Sequence, residues 1–228
     1  MNIAIIGQGN VGLLLYQALF TEHAVTSYGR DLPREEDLEV DLIIIAVPDD
    51  AVADVASKYP NTLTAHTAGA VPMLKGPNAA VLYPLYSFSK NTKVDWSKVP
   101  LLLETRSQGH RMILEDVAGT LSDHRYWISS AQREKLHVAA VMVNNFTNHL
   151  YTLAEAYCEE RELPFEVLHQ IMLQGPEKAV EYGPKKAQTG PAVRGDQGTL
   201  NAHMETLGES ELATLYQLLS ESIQKHHS

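Results

Sequence analysis

Three glycines near the start of the chain, Gly7, Gly9 and Gly12, stand at a spacing that a phosphate-binding turn needs. They follow an apolar β-branched run, Ile3 to Ile6, and lead into VGLLLYQALF, whose apolar residues recur at helical spacing. Strand, turn and helix in that order give each glycine a task. Gly7 permits a tight turn, Gly9 lets a pyrophosphate approach the backbone, and Gly12 lets the helix pack on the strand. The unpaired N–H groups of the helix start complete an anion site. Gly7, Gln8, Gly9, Asn10, Val11 and Gly12 are therefore the expected contacts of a dinucleotide. A second run, AVTSY, ends at Tyr28, Gly29 and Arg30, where the adenosine ribose lies in such folds. An arginine there can pair with a 2′-phosphate and stack on adenine, which favours NADP. Asp31 follows directly, so NAD stays open.

Further along, other strand ends carry polar groups. DLIIIAV reads as a parallel strand buried on both faces and ends at Val47 and Pro48, the expected wall of the cofactor site, with Asp49 or Asp50 placed to cap the helix AVADVASKY. TLTAHTAGA ends at His66 and Thr67, where substrate and nicotinamide should meet, because ligands bind outside the carboxyl ends of parallel strands. His66 can shuttle a proton near neutral pH; a structural bond to the backbone is the other reading. AAVLYPLYSFSK brings hydroxyls at Tyr83, Tyr86, Ser87 and Ser89 to a further strand end. On a long helical stretch, His137, Val141, Asn144 and Asn145 fall on or near one face. Amides in an apolar helix either bond a neighbouring helix or face a cleft. The segment GPKKAQTGPAVRGDQGT concentrates Thr189, Arg194 and Asp196 in a glycine- and proline-rich loop between helices, which is how binding groups are set on a scaffold.

The elements that must hold these groups are of two textures. To about Ser130, short apolar runs alternate with helical patterns, although residues 31–40 are too few for a full helix and strand, so the third strand is expected to be absent or replaced. From Ala131, about 30 residues run without Gly or Pro, too long for an ordinary globular helix and apolar on more than one face. The reading is an α/β Rossmann-type dinucleotide-binding domain over residues 1–130, then an all-α domain over 131–228 that pairs in a homodimer. A break is expected near Gly175 and Pro176. The formal net charge of -10 argues against nucleic acid or an anionic membrane as partner and leaves a small-molecule substrate. Cys158 is the one cysteine, so no disulfide within the chain is possible, and a reducing cytoplasm fits. No metal-ligand spacing, membrane span or leader pattern is visible, so the protein is expected to be soluble, unprocessed and metal-free.

Taken in order, GQGNVG, AVPDD, HTAGA, LYPLYSFSK, ISSAQREKLHVAAVMVNNFTNHLY and AQTGPAVRGD resemble the Rossmann-like proteins that carry domain of unknown function 2520. That family sits within the 6-phosphogluconate dehydrogenase and pyrroline-5-carboxylate reductase-like superfamily, whose members are often labelled NADP oxidoreductases. The resemblance implies a 6-phosphogluconate dehydrogenase C-terminal-like helical domain and usually a dimer. β-Hydroxyacid dehydrogenases of the superfamily carry a catalytic lysine one helical turn before an asparagine on the long helix. Here those places hold Ala140 before Asn144 or Val141 before Asn145. His66, His137 and Asn145 are then the catalytic candidates, and Thr67, Asn144, Thr189 and Arg194 the substrate-binding ones. The expected activity is NADP-dependent hydride transfer between nicotinamide and a carbonyl or imine of a small metabolite. The alternative is a dinucleotide-binding dimer that senses or recruits without turnover.

Overall fold

The computed structural model describes residues 1–90 and 93–227. The chain forms two compact units, Met1–Asn144 and Asn145–Ser228. The change of texture at residue 130 therefore precedes the change of unit, because the first turns of the long helix belong with the sheet.

The first unit is a seven-stranded sheet with helices on its faces. Its elements are β1 (Asn2–Ile6), α1 (Asn10–Leu19), β2 (Ala24–Tyr28), β3 (Leu42–Ile45), α2 (Val52–Ala56), β4 (Thr64–His66), β5 (Ala79–Pro84), β6 (Leu101–Thr105), α3 (Gln108–Leu121), β7 (Arg125–Trp127) and α4 (Ser130–Ala140). The order across the sheet is β2-β1-β3-β4-β5-β6-β7. All neighbours are parallel except β5 and β6, so β1 to β5 bring their carboxyl ends to one edge. Among the described residues no strand lies outside β2: residues 31–40 contain only a single 3-10 turn, Glu35–Asp37, as their shortness implied. That turn is held by Glu35, whose carboxylate accepts bonds from the backbone and side chains of Asn61 and Thr62.

The sheet's alternation gives each face its own core. Ile3, Ile5, Leu42, Ile44, Leu101 and Leu103 pack with Leu15 and Leu19 of α1 and Leu114, Val117 and Leu121 of α3. Ala4, Ile6, Ile43 and Ile45 face the other way, with Val55 of α2 and Tyr59. One row on this second face runs Ile6, Ile45, His66, Val81, Glu104 across five strands, and it introduces two ionisable groups beside a buried apolar surface.

Several local expectations are revised. Asp49 and Asp50 cap nothing; they occupy the first turn of a 3-10 segment, Asp49–Ala51, ahead of the short α2, where a carboxylate still suits the positive helix end. α4 starts with a capping box between Ser129 and Gln132 and continues into a π turn, Val141–Phe146, then α5 (Thr147–Glu159). The unit boundary falls inside that π turn.

The second unit continues with α6 (His169–Tyr182), α7 (Pro184–Ala187), α8 (Pro191–Arg194), α9 (Gln197–Leu207) and α10 (Glu211–His227). α6 passes through Pro176 without ending. Proline's fixed φ is itself helical, so the helix continues there with one backbone hydrogen bond fewer. The glycine-rich segment forms the short helices α7 and α8, each opened by a proline at its first position. No helix among the described residues is long and apolar enough to cross a membrane, and no His, Cys, Asp and Glu cluster among them could hold a metal ion.

Candidate functional site

The turn between β1 and α1 is closed by backbone on two sides. Gly7 adopts φ +113° and donates its N–H to the Tyr28 carbonyl at 2.9 Å. A Cβ on Gly7 would strike the Ala46 carbonyl at the end of β3, and one on Gly12 would strike the Gly7 carbonyl. Gly9 differs: nothing lies within 4 Å of the place its Cβ would take. It is the N-cap of α1, and no side chain caps that helix. Open space thus faces uncapped N–H groups, which is the cradle an anion requires. Asn10 steadies it by donating from Nδ2 to the Phe88 carbonyl at 3.3 Å.

The neighbouring strand ends extend this cradle. Gln8 is exposed and lies over Gly29, its Oε1 2.9 Å from where a Gly29 Cβ would stand. Arg30 follows, exposed and with no ion pair among the described residues. Arg34, the other arginine of this region, is committed to Asp37 at 2.9 Å and Glu36 at 2.5 Å. Val47 is half-buried and Pro48 exposed, both at the same edge beyond β3.

His66 is not a cleft residue. It is 1% exposed, its Nδ1 accepts the Ala68 N–H at 3.3 Å, and the proton this leaves on Nε2 makes no hydrogen bond, although the Pro72 carbonyl is near enough to favour it. Burial, and next the Arg133 guanidinium, lower its pKa to about 4. The ring is a neutral part of the core at pH 7, which corrects its reading as a proton carrier. Thr67 is half-buried, with its hydroxyl turned to the Ile45 carbonyl at 3.3 Å.

Beside it lies a pairing that spacing in the sequence did not single out. The Tyr83 hydroxyl, at the end of β5, stands 3.2 Å from Nδ1 of His137 on α4. The two rings meet edge to face, 6.1 Å between centres. Both rest on the bare Cα of Gly69: a Cβ there would lie 2.7 Å from His137 Nδ1 and 2.9 Å from the Tyr83 oxygen. Both side chains are half-buried. Burial raises the phenol pKa, and Asp49 raises it further against the opposing pull of Arg133. α4 is pinned beneath the pair. Arg133, 1% exposed, donates to Glu104 at 2.5 Å and to the Val71 carbonyl at 2.6 Å, and Glu104 also accepts from the Ser130 N–H and hydroxyl. Tyr83 was visible as one of four hydroxyls at a strand end, but nothing in the sequence ranked it above Tyr86, Ser87 or Ser89. Nothing within AQREK set Arg133 apart either.

Asn144 and Asn145 are exposed in the π turn, and their amides form no hydrogen bond among the described residues. Their four-residue helical register with Val141 and Asn148 does not hold across a π turn. In the second unit, Thr189 is exposed, Arg194 ends α8 and is exposed, and Asp196 caps α9 by accepting from the Thr199 N–H and hydroxyl. Asp196 is thus a structural carboxylate.

The sheet order, glycine turn and uncapped α1 define a Rossmann-type dinucleotide-binding unit, followed by an all-helical unit. Residues 99–223 match the family described as domain of unknown function 2520, and the chain belongs to that family. A Bacteroides fragilis protein provisionally described as an NADP oxidoreductase is 32% identical, covers 98% of each chain and superposes with a TM-score of 0.85. A Thermotoga maritima protein is 16% identical over 99% of this chain and 98% of its own, TM-score 0.79. An imine reductase of Streptomyces aurantiacus is 10% identical over 99% and 94%, TM-score 0.72. At those last two identities the likeness is one of fold. No curated protein matches the sequence.

Proposed function

We propose that this protein is an NADP-dependent oxidoreductase acting on a carbonyl or imine of a small metabolite. The observation that carries the reading is the open, uncapped start of α1 at Gly9 on the sheet edge that also holds the half-buried Tyr83–His137 pair. The description of the B. fragilis relative supports the same cofactor. When bound, the nicotinamide supplies or accepts the hydride. The chain's part is to hold and orient. Backbone groups of Gly7 to Gly12 grip the pyrophosphate, Arg30 meets the 2′-phosphate, and Val47 and Pro48 wall the cofactor. Thr67, Asn144, Asn145 and Thr189 orient the substrate, and Arg194 takes a carboxylate by a bidentate grip.

The working form in this reading is a homodimer through the helical unit. α6 buries none of its residues, and Leu173 and Val180, two turns apart on one face, stand exposed, Val180 at 89%. An apolar surface of this kind on a helix calls for a cover, and a second copy supplies one with the same face.

A second reading, a nucleotide-binding dimer without turnover, is favoured by Ala140 and Val141 standing where the β-hydroxyacid dehydrogenases of the superfamily carry lysine. NADPH oxidation across 2-oxo acids, aldehydes and cyclic imines separates the two. Turnover of any of them supports the oxidoreductase; tight NADPH binding with no turnover anywhere supports the second reading. Arg30→Ala should weaken NADPH by about 5- to 150-fold, the equivalent of about 1–3 kcal/mol for a charge-assisted bond, and leave NADH nearly unchanged. Equal losses for both cofactors would sink the NADP assignment.

A further inference from the structure

We infer that Tyr83 is the proton donor of this site and that His137 restores its proton, the pair standing in for the absent lysine. The inference rests on the oxidoreductase reading and deepens it. Three features of the pair point the same way. It sits at the carboxyl ends of β4 and β5, the edge to which the glycine turn also opens. It is half-buried, so a phenol and an imidazole are held in contact at a surface a ligand can reach rather than in the core. And Gly69 leaves the space both rings occupy, since any side chain there would push Nδ1 and the hydroxyl away.

The groups facing the phenol set its direction of work. His137 and Arg133 approach from α4 and Asp49 from the turn after β3, while burial and the aspartate charge outweigh the guanidinium. The hydroxyl therefore keeps its proton at neutral pH, as an acid must and a base must not. His66, buried one strand away with its Nδ1 occupied, does not compete.

In the step this implies, the acceptor carbon gains a hydride from reduced nicotinamide, and its π electron pair moves onto the carbonyl oxygen or imine nitrogen. The Tyr83 O–H bond breaks and that atom takes the proton. A solvent proton adds at His137 Nε2 as the Nδ1 proton passes to the tyrosinate, so no imidazolate forms, and the neutral ring then returns to its Nδ1–H tautomer by proton exchange with solvent. The reverse sequence serves oxidation.

The test uses the full-length protein and Tyr83→Phe, His137→Gln and Gly69→Ala. Tyr83→Phe should keep NADPH affinity within about twofold and lower turnover by about 100-fold or more, the contribution of a positioned acid. His137→Gln should lower turnover while leaving NADPH affinity in place. Gly69→Ala should resemble Tyr83→Phe although it removes neither group. A readout free of activity is ultraviolet titration of the ten tyrosines: one late-ionising phenol should vanish in Tyr83→Phe and shift in His137→Gln. If the wild-type protein turns over a substrate and Tyr83→Phe matches it, this inference falls and the oxidoreductase reading stands. If the wild type is silent on the whole panel, that reading falls and takes this inference with it. An unchanged phenol titration in His137→Gln overturns the pairing in either case.

Discussion

His66 should make folding stability depend on pH between about 4 and 6.5. Its pKa is about 4 in the folded chain against 6.5 for a free histidine. Between those values the unfolded chain binds a proton that the folded chain refuses, so stability rises with pH across the window and is complete above about 6.5. Acidification should therefore remove about 2 kcal/mol by pH 5 and about 3 kcal/mol by pH 4, from one pKa unit being worth about 1.4 kcal/mol. The perturbation is His66→Asn, whose side-chain oxygen can still accept the Ala68 N–H but cannot titrate. Urea unfolding at steps between pH 7.5 and 4 measures the effect. The variant starts lower at pH 7, because the smaller side chain leaves a cavity under the sheet, but its stability should be flat where the wild type falls. If the two curves stay parallel from pH 7 to 4.5, the buried neutral imidazole is not the source and the reasoning fails. Retained turnover in the variant, should the wild type turn over a substrate, would separate His66 from the chemistry as well.

Glu104 works in the opposite sense. Burial pushes its pKa up, but bonds from Ser130 and Arg133 outweigh this and hold it below 4.5, so its contribution is present above 4.5 and lost as pH falls through the lower folded value. Glu104→Gln keeps an acceptor for Ser130 yet leaves Arg133 charged and unpaired at 1% exposure; the cost should be about 3–5 kcal/mol in urea unfolding at pH 7, and a loss under 1 kcal/mol would show the pair to be solvated. For assembly, sedimentation at micromolar concentration should give a dimer, and Val180→Asp with Leu173→Asp should give a folded monomer. A wild-type monomer rejects the proposed pairing.

The fold was legible where composition and spacing act locally. Ile3 to Ile6, three glycines and a helical pattern left one arrangement, and the shortness of residues 31–40 announced the missing outer strand. What could not be read depends on partners distant in sequence. His66 was equally a proton carrier or a core residue until β5, Arg133 and the loop after β4 closed around it. Tyr83 gains its place from Gly69 and His137, 54 residues beyond it, and no period in the chain marks that meeting. Arg133 stands between the exposed Gln132 and Glu134, and only the row that carries Glu104 onto the same face explains its burial. Asp196 failed for a smaller reason: an acidic residue three before a threonine is as good a helix cap as a ligand, and the cap won.

The π turn bears directly on the lysine question. Counting back one helical turn from each asparagine left two candidates, Ala140 before Asn144 and Val141 before Asn145, on the assumption that residues four apart stack. Across Val141–Phe146 the stacking interval is five, so the residue one turn before Asn145 is Ala140. Whichever count is used, the place is apolar and cannot carry a proton, and the wound-out turn still presents Asn144 and Asn145 to solvent. A π turn costs backbone geometry that an uninterrupted helix would not, and such turns occur frequently at functional sites. Exposed amides on such a turn are what the proposed substrate contacts of Asn144 and Asn145 call for. A module that only bound nucleotide would need neither the exposed amides nor a phenol and imidazole held together over a bare glycine, which is why the oxidoreductase is the reading proposed first.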